Sequence, residues 1–166
     1  YDSTGEMRMT SFFDVTEADI ERLKPAEFTD VMNRLLIAEA ARYGIPPLAI
    51  NLTLHINDSD AGIDALVDHS CNVPAECRIP PGLSGWQFKA GKFQPHMLRK
   101  YEWGKAGVQA IVGKGGWYCI AHNKGGPPKG RGGIDRYREV LADLFASRGQ
   151  QMRGMYFNAQ YIANWA

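Results

Sequence analysis

The strongest constraint on the fold is a helical run from Phe28 to Tyr43 that stops abruptly and gives way to short β-type runs. Phe28, Val31, Met32, Leu35, Leu36 and Ala40 fall at helical spacing. Pro25 suits the first turn and Glu27 its positive end, while Gly44 and Pro46-Pro47 end the helix. Thr16-Glu17-Ala18-Asp19 has the capping pattern of a short helix ending before Pro25. Leu48 to Ile56 reads as a strand, Asn57 to Gly62 as a turn, Ile63 to Asp68 as a second strand and Gly85 to Ala90 as a third. Pro95 opens a helix running to about Val112, weakened at Gly104 and Gly107. Trp117 to His122 is a fourth strand, Ile134 to Arg148 an amphipathic helix, and Met152 to Phe157 a last strand. This order predicts an α/β domain, a central mixed sheet flanked by helices.

At 166 residues, 45% hydrophobic and 22% charged, the chain is expected to form one domain over 11–166. Residues 1–10 read as a tag or disordered leader, and the ending at Ala166 as a domain cut from a longer protein. No apolar run approaches the ~20 residues of a membrane span. Cys71, Cys77 and Cys119 are too few and too scattered for a disulfide framework, which predicts a cytoplasmic protein. Charge is unevenly distributed. Residues 1–85 carry 6 Lys and Arg against 14 Asp and Glu, whereas 86–138 carry 11 against 2. An acidic half followed by a basic half suits a site that joins metal-binding carboxylates to a polyanion-binding surface.

The third strand carries the chemistry. Alternation sends Trp86 and Phe88 to one face and Gln87 and Lys89 to the other. Antiparallel pairing with the preceding strand would bring Asp64 near Gln87 and Lys89. A carboxylate, an amide oxygen and an ammonium in one cleft suit phosphodiester hydrolysis with a hard cation, Mg²⁺ or Mn²⁺. Asp64 and the Gln87 oxygen would bind metal, the Phe88 carbonyl could add a ligand, and Lys89 would act on the attacking water.

Asp60-Ala61-Gly62-Ile63-Asp64 followed by Trp86-Gln87-Phe88-Lys89 resembles the D-x-G-I-D and Q-x-K signature of Mrr-like nucleases in the PD-(D/E)XK, restriction-endonuclease-like superfamily. The resemblance covers the order helix, strand, strand, strand, helix, strand, roughly residues 25–122. It implies a restriction-endonuclease-like core. It assigns Asp64 to metal binding, Gln87 to a position where relatives carry Glu or Gln, and Lys89 to catalysis, with Gly62 permitting a tight turn into the strand. It further implies cleavage of double-stranded DNA in restriction or anti-phage defence, in a domain fused to an NTPase or sensor. Cutting both strands needs two sites, so a homodimer is expected. Relatives place a glutamate after the aromatic residue early in the first helix, and here that residue is Thr29. Asn33 could supply the missing oxygen, with Glu27 and Asp30 as alternatives. The neutral Thr29 and Gln87 also fit a second reading, a nuclease-derived DNA-binding or assembly module without catalysis.

Lys92, Arg99, Lys100, Lys105, Lys124, Lys129 and Arg131 are the expected contacts to a DNA backbone, each salt-sensitive and indifferent to sequence. His69, Cys71 and Cys77, with His122 or Cys119, leave a structural zinc open, although the spacing matches no standard finger. His55 and His96 have no local partner pattern. Neither glycine-rich stretch around Trp117 and Pro127 is a phosphate loop, which argues against nucleotide hydrolysis.

Overall fold

A computed structural model describes residues 14–52, 61–125 and 133–166. Its first helix, α1 (Glu17–Glu21), is closed by the expected capping box: Thr16 accepts from the Asp19 N–H, and Asp19 accepts from the Thr16 N–H at 2.9 Å. Helix α2 (Pro25–Arg42) begins with Pro25, and Glu27 accepts the Lys24 N–H at 2.8 Å. A short 3₁₀ turn (Pro47–Ala49) leads into β1 (Ile50–Leu52). The first strand therefore starts later than Leu48, because Pro46 and Pro47 favour the turn; residues 53–56 of the expected strand lie outside the described residues.

Strands β2 (Ala65–His69) and β3 (Gly82–Lys89) follow; β3 starts three residues earlier than its alternation suggests. The expected helix from Pro95 to Val112 is split into α3 (Pro95–Met97), a π turn (Leu98–Glu102) and α4 (Ala106–Gly113). The chain continues through β4 (Trp117–His122), α5 (Ile134–Ser147), β5 (Gly154–Phe157) and an unanticipated α6 (Ala159–Trp165), capped by the Asn158 side chain. Among the described residues no helix is long and apolar enough to cross a membrane.

The five strands lie in sequence order, so the fold is α/β with a mixed sheet. β1, β2 and β3 pair antiparallel in chain order, whereas β3–β4 and β4–β5 pair parallel across helical connections. One face carries Ala65, Val67, Trp86, Cys119 and Phe157 beneath Phe28, Met32 and Leu36 of α2 and Ile162 and Trp165 of α6. The other carries Tyr118, Ile120 and Tyr156 beneath Leu98, Val108 and Val112 and the α5 residues Tyr137, Leu141 and Phe145. Both layers bury their apolar faces, and the Gln87 side of β3 lies under the second.

Candidate functional site

The site forms where the turn before β2, the end of β3 and the π turn meet. Gly62 has φ +74, a backbone that side-chain-bearing residues rarely adopt, and an added Cβ would stand 2.8 Å from Lys105 Cδ. A Cβ on Gly107 would overlap the Ala61 carbonyl oxygen. These two glycines let the start of α4 close down on the loop that carries Asp64. Gly107 thus weakens helix propensity and in return permits the close approach that assembles the site.

Asp64 is tied to β3 twice. Its N–H donates to the Trp86 carbonyl at 2.7 Å, and its Oδ2 accepts the Phe88 N–H at 2.7 Å. Burial pushes its carboxyl above the usual aspartate range, against the pull of the Phe88 N–H and the Lys89 and Lys105 ammonium groups. Gln87 is 3% exposed and doubly engaged: its Nε2 donates to Glu102 Oε2 at 2.5 Å, and its Oε1 accepts from the Tyr118 hydroxyl. Lys89 Nζ donates to Glu102 Oε1 at 2.7 Å and lies over the Phe93 ring. Lys105 Nζ meets Glu102 Oε2 at 2.8 Å.

The structure therefore gathers Asp64, Gln87 and Lys89 into one polar cluster, whose hub is Glu102, a residue not singled out from the sequence. The π turn is marked by the Trp103 N–H bonding back five residues to the Leu98 carbonyl at 2.9 Å, and it presents Glu102 to β3. Burial works to raise the Glu102 carboxyl, but hydrogen bonds from Lys105, Lys89 and Gln87 outweigh it and hold the group below its usual range. Burial also drives the Tyr118 phenol well above its usual value, so it stays a neutral donor to Gln87. Glu102 had one signal in the sequence: with Asp135 it is one of only two acids in the basic stretch 86–138.

Asn33 is placed differently from expectation. Its helix covers the Trp86 and Phe88 face of the sheet, opposite Gln87, and its Oδ1 is buried without a hydrogen-bond partner. The alternatives are locally engaged, Glu27 in its helix cap and Asp30 with Arg34 at 3.0 Å. Glu102, from the helical connection beyond β3, is the acid that reaches the cluster. The Gln87 oxygen, expected as a ligand, accepts the Tyr118 hydroxyl in this arrangement.

Of the expected DNA contacts, Lys92, Arg99 and Lys100 are exposed; Arg99 lies 3.6 Å from Asp143. Lys105 belongs to the cluster, and Lys124 Nζ donates to the Glu21 carbonyl at 3.0 Å. Lys129 and Arg131 lie outside the described residues, as do Asp60 and His55. The His69 ring is used by backbone: Nε2 bonds the Pro80 carbonyl at 2.9 Å, and Nδ1 accepts the Cys71 N–H at 3.2 Å. His122 bridges the Tyr156 hydroxyl and the Gly91 carbonyl, both at 2.7 Å. Among the described residues no three His, Cys, Asp or Glu side chains form a metal-binding group.

The cluster offers carboxylate oxygens from Asp64 and Glu102 and, beside them, an ammonium 23% exposed. Such a set can hold a divalent ion and stabilise an anionic reacting group. Comparison with family models, with curated proteins and with solved structures finds no match.

Proposed function

We propose that this chain is a divalent-metal-dependent endonuclease of the PD-(D/E)XK type, which hydrolyses phosphodiester bonds of double-stranded DNA. The observation that carries the reading is the convergence of Asp64, bonded to the Phe88 N–H, and Lys89, paired with Glu102, on one polar cluster at the ends of β2 and β3. Two further features support it. The helix, three antiparallel strands, helical connection and parallel strand keep the element order on which the resemblance rests. The basic stretch that follows supplies exposed cations for a phosphate backbone.

The donor chemistry fits Mg²⁺ or Mn²⁺: Asp64 and the Phe88 carbonyl would hold the ion, and burial of Asp64 is the kind of desolvation that a cation offsets. When bound, the ion supplies a water of lowered pKa and neutralises charge on the phosphate. Lys89 Nζ, moved from Glu102 Oε1, would orient the attacking water and donate to a phosphate oxygen as charge develops there. Gln87, fixed between Tyr118 and Glu102, positions the strand end and not the ion. Restriction or anti-phage defence is the role that this chemistry would serve.

Supercoiled plasmid incubated with Mg²⁺ tests the proposal. The wild-type protein is expected to cut, and Lys89→Ala and Asp64→Ala to lose about 10²-fold or more of the rate. Equal cleavage by all three rejects the assignment. Salt-sensitive DNA binding with no cleavage by the wild type supports the non-catalytic module instead.

A further inference from the structure

Glu102 and Lys105 carry an inference that rests on the nuclease reading and goes beyond it. Glu102 is 7% exposed, yet it belongs neither to the strand signature nor to the first helix. Both of its oxygens are occupied, Oε1 by Lys89 and Oε2 by Gln87 and Lys105. Two carboxylates, Asp64 and Glu102, thus face two ammonium groups, Lys89 and Lys105, and the cluster carries no net charge. A divalent cation approaching it meets as much repulsion as attraction. Full attraction returns only when one ammonium leaves.

The two lysines are held differently. Lys89 extends from a central strand and is held over Phe93, 5.5 Å from the ring centroid. Lys105 stands at the N-cap of α4, beside Gly104 and Gly107 in the chain, with its stem against Gly62. Its side chain is 26% exposed, close to the 23% of Lys89, and it extends from a helix start instead of a central strand; a phosphate that reaches it is a strong competitor for its ammonium.

We propose that Glu102 is a second carboxylate ligand of the cation, and that Lys105 is its resident counter-ion, drawn away by a DNA phosphate so that DNA and metal bind cooperatively. In this arrangement the protein alone holds metal weakly, and the substrate completes the site by removing a charge from it. By linkage, metal tightens DNA binding by the same factor.

Calorimetric titration of Mn²⁺ into the full chain tests this, with and without a short DNA duplex carrying phosphorothioate linkages. The proteins are wild type, Asp64→Ala, Glu102→Gln and Lys105→Met, each checked for folding by circular dichroism. The wild type should bind Mn²⁺ more tightly with the duplex. Glu102→Gln should weaken Mn²⁺ binding about tenfold or more. Lys105→Met should tighten it about tenfold without DNA, an equivalent of about 1.4 kcal/mol, and lose the response to the duplex. Replacing Lys105 leaves Glu102 bonded to Lys89 and Gln87, so its variant remains informative even where Glu102→Gln folds poorly. If Asp64→Ala loses Mn²⁺ while Glu102→Gln and Lys105→Met bind as the wild type does, this proposal falls and the nuclease reading stands. If the wild type binds no Mn²⁺ with or without duplex, both fall.

Discussion

The two faces of β3 differ in what occupies the space above them. On the Trp86 face, Trp86 stacks on Phe157 with ring centroids 5.5 Å apart, and Phe88 meets Phe28 edge-on at 6.5 Å. On the other face, one residue along the strand, Gln87 and Lys89 meet Glu102 and Tyr118. The first face is packed with ring surface that needs no partner beyond its neighbours. The second replaces that surface with groups that are tolerable only because each is hydrogen-bonded. The strand closes the core with one set of side chains and, with the alternate set, builds a charged cluster.

Mutations that treat the faces separately should separate stability from function. The largest effect on stability is expected from Trp86→Ala, which removes a fully buried ring and leaves a cavity: about 3–5 kcal/mol, read from urea unfolding. A loss near zero would mean that this face is not the core. Next comes Glu102→Ala, at about 2 kcal/mol, because Lys89, Lys105 and Gln87 lose their shared acceptor. Its pH signature follows from the lowered carboxyl. The stabilisation by Glu102 is complete above the unfolded-state value and is lost as pH falls through the lower folded-state value. Stability of the wild type and of Glu102→Ala should therefore converge in acid, and parallel curves would contradict the assignment.

Asp64 has the opposite sign. Its carboxyl is raised in the fold, so its contribution to stability falls as pH rises from the unfolded-state value through the higher folded-state one. Asp64→Asn keeps an oxygen that can accept the Phe88 N–H and removes the buried charge. At pH 7 it is expected to be more stable than the wild type by about 1 kcal/mol in thermal unfolding while failing to bind Mn²⁺. A destabilised Asp64→Asn would show that the charge is compensated in the metal-free protein.

Much of the fold was legible because its signals are local. The Thr16 and Asp19 capping pair, the Pro25 start, the strand Trp117–His122 and the stripe of α5 each depend on residues a few positions apart. The failures have physical causes. The π turn breaks a continuous helical pattern because α4 docks against the Ala61–Gly62 loop, a contact that periodicity does not encode. α6 is short, and its anchor, the Trp165 Nε1–H donating to buried Glu39 at 3.2 Å, spans the chain. In the site, strand alternation was enough to group Gln87 with Lys89 and suggest Asp64. It could not supply Glu102, thirteen residues from Lys89 on another element, nor show that Tyr118 turns the Gln87 oxygen away.

The proposed divalent-cation centre lies at the polar cluster where the ends of β2 and β3 meet. Anomalous diffraction from crystals soaked in Mn²⁺ locates such an ion directly. A manganese peak is expected bonded to an Asp64 carboxylate oxygen at about 2.1 Å, on the Lys89 side of the sheet. No peak at Asp64, or manganese bound only at carboxylates elsewhere on the surface, would contradict it.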